Sequence, residues 1–395
     1  MNKMLHSSLA SIFSIANAAT RGWRTTKKFI VIESDDWGSI RTSSANAHAS
    51  LKSLGYQMDA SPYCFDALET RDDLDRLYEV LHSVRDLTGR PACMTANMVL
   101  ENPDFNKIRL AEYQRYYSES VIETLMRRDG SEEVITRWAP SYNQMSFIPQ
   151  FHAKEHVRWW EWMDALNSGS KEALETFSFG MCGVPHAASQ EKLSFYRHVY
   201  IDPAVAALKG IDLEKSVLDG AHAFQRIFGY VSQSAIAPNY TWSPLIERAW
   251  HRCGIEYIQG ARVQLVPQGE TVYKASHYLG EVNSNGQTYL MRNCWFEPAD
   301  GGMGKDPVEM CLAQIKRAFF FRRPAVICSH RVNYVGSISQ EYAKKNRQSL
   351  LRLLLAIKKK WPDVTFISTP ELGWMIKNHI DSSDGDLFKR AVCSI

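Results

Sequence analysis

The chain has 395 residues, with 45% hydrophobic and 23% charged side chains, values of a globular domain that can bury a full core, either as one large α/β unit with insertions or as two ordinary domains. A net charge of +3 is too small to argue for nucleic acid or a membrane surface, so a small molecule or glycan is the expected partner. No run reaches the roughly 18 apolar residues of a membrane-spanning helix, and eight scattered cysteines without a CxxC read as reduced thiols, which favours a cytoplasmic location.

Residues 1–26 read as an amphipathic N-terminal helix or tail, because Leu5, Leu9, Ile12, Phe13 and Ala16 recur at helical spacing. Lys3 and Ala16-Asn17-Ala18 imitate a secretory leader, which leaves secretion open. The run Phe29-Ile30-Val31-Ile32 then predicts a strand buried on both faces, as in a parallel sheet, ending in Glu33-Ser34-Asp35-Asp36-Trp37-Gly38. Helical spacing follows over 43–54 and 72–87, and a second apolar run over 92–100 completes a βαβ unit. Residues 102–143 read as an insertion with one helix near 118–128.

A short strand over 146–151 leads into His152-Ala153-Lys154-Glu155-His156 and a helix over 157–166. Residues 169–220 form an irregular second insertion, followed by a helix over 217–228, a strand over 234–242, a helix from Ser243-Pro244 to Cys253 and a strand over 254–258. A strand over 288–296 ends in Glu297-Pro298; the glycines at 301, 302 and 304 lack the spacing of a dinucleotide site. After a helix over 307–320, Ala325-Val326-Ile327-Cys328-Ser329-His330 is the other clearly buried strand, and a helix over 342–360, a strand over 364–368 and a helix from Pro370 complete the pattern. Seven or eight strand-helix units predict an α/β fold, a (β/α) barrel that is distorted or seven-stranded, over 27–375, with 376–395 as a tail.

Chemistry gathers at the carboxyl ends of strands in such folds. Adjacent carboxylates at Asp35 and Asp36 repel unless a cation lies between them, and a divalent metal is the usual remedy, although both could simply form a turn. His152 and His156, four apart, share one face if the segment is a helical turn, and with Asp36 they make an Asp/His/His set with open positions. Zinc is the expected ion. His330 suits a general acid across the same mouth, or else a core histidine bonded to a carbonyl.

These motifs together resemble the polysaccharide deacetylase family, the NodB-like carbohydrate esterases. The resemblance implies that Asp35 is the catalytic base, that Asp36, His152 and His156 hold the metal, that His330 is the acid, and that the fold is a distorted (β/α) barrel acting on an N-acetylated sugar or polysaccharide. Two departures stand out. The family's arginine, which pairs with the base, has no counterpart in Ile236-Ala237-Pro238-Asn239-Tyr240, and its aspartate beside the acid is only loosely echoed by Glu297. Asn239, Tyr240, Trp242, Trp295 and Arg331 are the candidates to hold a sugar, and Trp159, Trp160 and Trp162 are read as mostly core. Two rival readings remain: His152 to His156 also satisfies the H-x-x-E-H zinc-peptidase pattern with Glu155 as base, and the absent arginine suits a barrel that binds a glycan without catalysis.

Overall fold

The computed structural model describes residues 21–127, 131–139 and 142–380. The expected N-terminal helix and C-terminal tail lie mostly outside the described residues. Residues 21–26 carry no helix, and the last helix runs Thr369–Lys377.

The strands in chain order are β1 (Phe29–Trp37), β2 (Met94–Val99), β3 (Glu101–Pro103), β4 (Ser118–Ser120), β5 (Phe147–Ala153), β6 (Ser234–Ile236) and β7 (Tyr257–Gly260). They continue with β8 (Val263–Gln268), β9 (Thr271–Ser276), β10 (Thr288–Met291), β11 (Cys294–Trp295), β12 (Ala325–His330) and β13 (Thr365–Phe366). Nine of them form one sheet in the order β10-β7-β6-β5-β2-β1-β12-β11, with β13 also on β1. Every pairing in that sheet is parallel. Such pairing needs crossovers, and helices occupy the connections, so β1, β2 and β5 are buried along their whole length. The helix Arg71–His82 shows how a crossover is specified: Thr70 and Asp73 form a capping box, and Leu74, Leu77 and Leu81 bury one stripe against the sheet.

The sheet curls into an open barrel. Its two edge strands, β10 and β11, are consecutive pieces of one segment, so the expected continuous strand over 288–296 is broken at Arg292 and Asn293. The Arg292 N–H donates to the Gly260 carbonyl of β7 at 2.8 Å, and the Asn293 N–H donates to the Val326 carbonyl of β12 at 3.0 Å. One short stretch thus leaves one edge and meets the other.

The first insertion holds more structure than expected: β3 and β4 pair antiparallel, and helices span Phe105–Leu110, Val121–Met126 and Ser131–Trp138. The second contains helices Lys171–Ser178 and Pro203–Leu208, and the next helix begins earlier than its apolar spacing suggested, at Leu213. The antiparallel β8–β9 hairpin was not expected, because β9 is exposed on both faces and lacks an apolar alternation. Ile108, Trp162, Leu166, Phe177 and Phe195 make a separate apolar cluster that fastens the two insertions to the helix Trp159–Asn167. Among the described residues no helix is long and apolar enough to cross a membrane.

Candidate active site

In a regular strand Asp35 and Asp36 would point to opposite faces. The pairing of β1 with β2 slips between Ser34 and Trp37, so three steps on β1 oppose two on β2, and Asp36 takes a left-handed backbone conformation with φ 74°. Asp35 keeps its inward direction, Asp36 is turned to join it, and both line one cavity. Gly38, at φ 80°, makes the return possible: a Cβ there would stand 2.5 Å from the Val99 carbonyl oxygen. The Glu69 carboxylate accepts the Gly38 N–H.

A second slip brings the histidines. β5 passes from Phe151 opposite Met98 to Ala153 opposite Val99, and His152 is the extra residue. The expected helical turn over 152–156 is corrected here: His152 belongs to the strand and His156 to the bend after it. Phe147-Ile148-Pro149-Gln150-Phe151 is already committed to the sheet, and the bend achieves what helical spacing would have. His152 Nε2 lies 3.6 Å and His156 Nε2 3.4 Å from the same oxygen of Asp36. All three residues are buried. The Ile236 carbonyl, 2.9 Å from His152 Nδ1, holds the proton there and leaves Nε2 as a free lone pair, as in histidine–metal sites.

The donor set fits a divalent ion. One ligand atom from each of Asp36, His152 and His156 lies within 4.8 Å of the others. Tetrahedral ligands at about 2.0–2.1 Å from zinc stand about 3.3–3.4 Å apart, close to the separations across this group. Burial and the neighbouring Arg41 push the His156 imidazole down to about 3, so it is a neutral donor. Burial opposes ionisation of Asp36, but Arg41 overrides it and holds the carboxyl well below its ordinary range.

Asp35 has the arginine that its local sequence lacks. Arg292, from the gap between β10 and β11, donates to both Asp35 oxygens at 2.8 and 2.6 Å and, through Nε, to Glu33 at 2.6 Å. The Asn97 amide donates to Asp35 at 2.7 Å and is held by Gln259 at 3.0 Å. Burial alone would raise Asp35, yet the guanidinium holds it well below the carboxylate range. Glu33 goes the other way: burial outweighs the same arginine and raises it.

His330 stands 3.9 Å from Asp35 through Nε2, and its Nδ1 donates to Glu297 at 2.6 Å. Asn333 donates to the other Glu297 oxygen at 2.8 Å. Burial disfavours the imidazolium, but Glu297 overcomes it and lifts His330 well above its ordinary value. Glu297, Cys328 and His330 also have donor atoms close together. The Arg292 guanidinium, 3.2 Å from the Cys328 sulfur, sets a cation against that group and disfavours a second metal there.

The cavity holds about 490 Å³ and is roofed by the second insertion through Gly183, Pro185, His186, Ser194 and Tyr196. Of the residues expected to hold a sugar, Asn239 and Tyr240 line it, presented by left-handed backbone at φ 56° and 54°. Trp242 does not; it is fully buried, packs on Trp250, and its indole N–H donates to Glu247 at 2.9 Å. Arg331 is also fully buried, holding Asp66 and Glu69 at 3.0–3.1 Å. Trp295 is 44% exposed and lies outside the cavity lining. Trp160 and Trp162 are core, and Trp159 stacks on Tyr116. Glu155 turns away from the histidines into a separate cavity of about 440 Å³ with Tyr116 and Lys154, and burial raises it to about 7. That orientation withholds the base which an H-x-x-E-H peptidase requires next to its metal.

Arg292, Arg41, Tyr63 and Tyr196 escaped the sequence reading. Only Arg292 left a local trace, a lone cation in the otherwise apolar Tyr289-Leu290-Met291-Arg292.

No protein-family model and no curated protein matches the chain. Among solved structures it is similar to a 4-alpha-glucanotransferase from Thermococcus litoralis, with a TM-score of 0.43 and 9% identity over 88% of this chain and 40% of that one. The chain therefore spans well under half of that enzyme's length. It is also similar to a putative polysaccharide deacetylase from Mycobacterium smegmatis, with a TM-score of 0.39 and 11% identity over 91% and 93% of the two chains. A third is a family 4 acetyl xylan esterase from Clostridium thermocellum in complex with a cobalt ion, with a TM-score of 0.35 and 9% identity over 90% and 93%.

Proposed function

We propose that this chain is a metal-dependent hydrolase that removes an acetyl group, from nitrogen or oxygen, from a sugar or polysaccharide. The observation that carries the reading is one cavity lined by Asp36, His152 and His156, whose donor atoms lie close enough to share a metal, with Asp35 and His330 beside them. A zinc ion held there supplies Lewis-acid polarisation of the acyl carbonyl and acidifies water. Asp35, ionised through Arg292, accepts the proton of the attacking water. His330, kept cationic by Glu297, donates a proton to the departing amine or alcohol oxygen. Asn239 and Tyr240 border the space a sugar ring would fill.

Elemental analysis of the purified protein beside Asp36→Ala and His152→Ala tests the metal, and acetate release from N-acetylated sugars tests the reaction. The expected result is one divalent ion per chain, lost in both variants, with acetate release that requires it. Metal that stays in Asp36→Ala, or a protein that binds none under any loading, would overturn the reading and leave a barrel that binds glycans without catalysis.

A further inference from the structure

The net charge of +3 averages over a surface on which charge is unevenly placed. Strands β13, β1 and β12 are parallel neighbours, with Phe29 opposite Thr365 and Ile30 opposite Ala325, so the residues that precede them emerge at one end. That is the amino end of the sheet, away from Asp35 and His330. Two contacts gather the adjoining segments there: the Thr25 N–H donates to the Arg322 carbonyl at 3.0 Å, and the Phe366 N–H donates to Asp86 at 3.3 Å. Lys27, Arg85, Arg322 and Lys359 are exposed in these segments and in the helix end that leads into β13. Among the described residues none of the four forms an ion pair. Of the acids in the same segments, Asp363 is taken by Lys28 at 2.5 Å, and Asp86 is buried and accepts from Thr88 and Phe366. Apolar side chains stand among these cations: Phe320 is 80% exposed and Leu87 76%. Phe319 anchors its run edge-to-face on Trp361 at 5.2 Å, and Phe320 and Phe321 are displayed beyond it. Single exposed apolar residues are common, but three at one end of a sheet, set among unpaired cations, make a patch with two kinds of contact to satisfy.

We propose that the amino end of the sheet docks on an anionic lipid bilayer, with Phe320, Phe321 and Leu87 entering the headgroup boundary and Lys27, Arg85, Arg322 and Lys359 facing lipid phosphates. Such a surface satisfies both contacts, because its phosphates attract the cations and its acyl boundary takes the apolar side chains out of water. A nucleic acid would answer the cations and leave Leu87 and Phe320 wet. The catalytic cavity, at the carboxyl ends of the strands, then faces away from the bilayer, which serves as support and not as substrate.

The test is co-sedimentation of the full chain with vesicles of phosphatidylcholine alone and of an equimolar mixture with phosphatidylglycerol, across a range of salt. The wild type should bind the mixed vesicles about tenfold or more tighter than the neutral ones, and added salt should weaken that binding. Each cation near an anionic surface is worth about fivefold in affinity, so Arg322→Glu combined with Lys359→Glu should lose about 25-fold or more. Phe320→Ser combined with Leu87→Ser should weaken binding at high salt as well as low, because salt does not screen an apolar contact. Circular dichroism of both variants checks that they fold, and the wild-type result stands without them. A wild type that binds neither vesicle, or both equally, overturns the proposal. Binding that persists in both variants overturns it too, since the attachment then lies elsewhere in the chain. Loss in the charge variant with none in the apolar variant overturns bilayer docking and assigns the cations to a polyanion such as nucleic acid.

Discussion

Two arginines, Arg292 and Arg331, each bridge a pair of carboxylates more than 250 residues before them in the chain, and both are buried. Around Arg331 every polar atom is enclosed: Asp66 and Glu69 are at 0% exposure, and the Gly38 N–H takes the remaining reach of Glu69. That cluster locks the turn after β1 to the segment after β12. Around Arg292 the inner acid, Glu33, is similarly closed in, with Thr369 donating to its second oxygen at 2.7 Å, but the outer acid, Asp35, opens on the cavity. The chemistry of the two clusters is alike, and their difference is access. A buried arginine between two acids is a brace when both acids are enclosed and a tuning device when one of them faces a ligand.

The largest expected effect breaks the tuned cluster at its open end. Asp35→Asn should lower kcat/KM for acetate release by about 10²–10⁴-fold, the usual contribution of a general base, with metal content kept. Breaking the brace should act on stability instead: Arg331→Met leaves two enclosed carboxylates unpaired and should cost about 3–5 kcal/mol in urea unfolding, while turnover per folded molecule persists. Arg292→Gln sharpens the contrast through pH. Without the guanidinium, burial dominates at Asp35, its carboxyl titrates at higher pH, and the acid limb of the pH–rate profile should move upward. Glu297→Gln should move the other limb downward, because His330 loses the anion that raises it and sheds its proton sooner. The smallest effect belongs to Glu155→Gln, which lies outside the cavity: metal content should not change, and activity should stay within about twofold, the scale of a substitution remote from the chemistry. Loss of activity in that variant would restore the peptidase reading.

Much of the site was legible because its parts sit at the ends of apolar runs, which a chain can specify locally. Asp35, Asp36, His330 and the nearby Glu297 were readable in this way, and so were most crossover helices. What escaped depends on position in space. Trp242 and Arg331 follow strands in the same manner as the residues that line the cavity, and only packing turns them inward. His152 and His156 were paired for the wrong reason, since a slipped strand and a bend stand where a helical turn was expected. Arg292 is 257 residues from Asp35 in sequence, so no spacing rule links them. Arg41 is marked by nothing except the tyrosines that fold over it.

The crossing at residues 292 and 293 joins assembly to chemistry. The same residue that carries the chain from β7 toward β12 with its backbone amide grips Asp35 with its side chain. Without this segment in place, burial acts on Asp35 unopposed by the guanidinium and favours its protonated form. A chain folded without this segment would leave Asp35 without the cation that holds it ionised. The closure of the barrel and the ionisation of Asp35 thus depend on one residue.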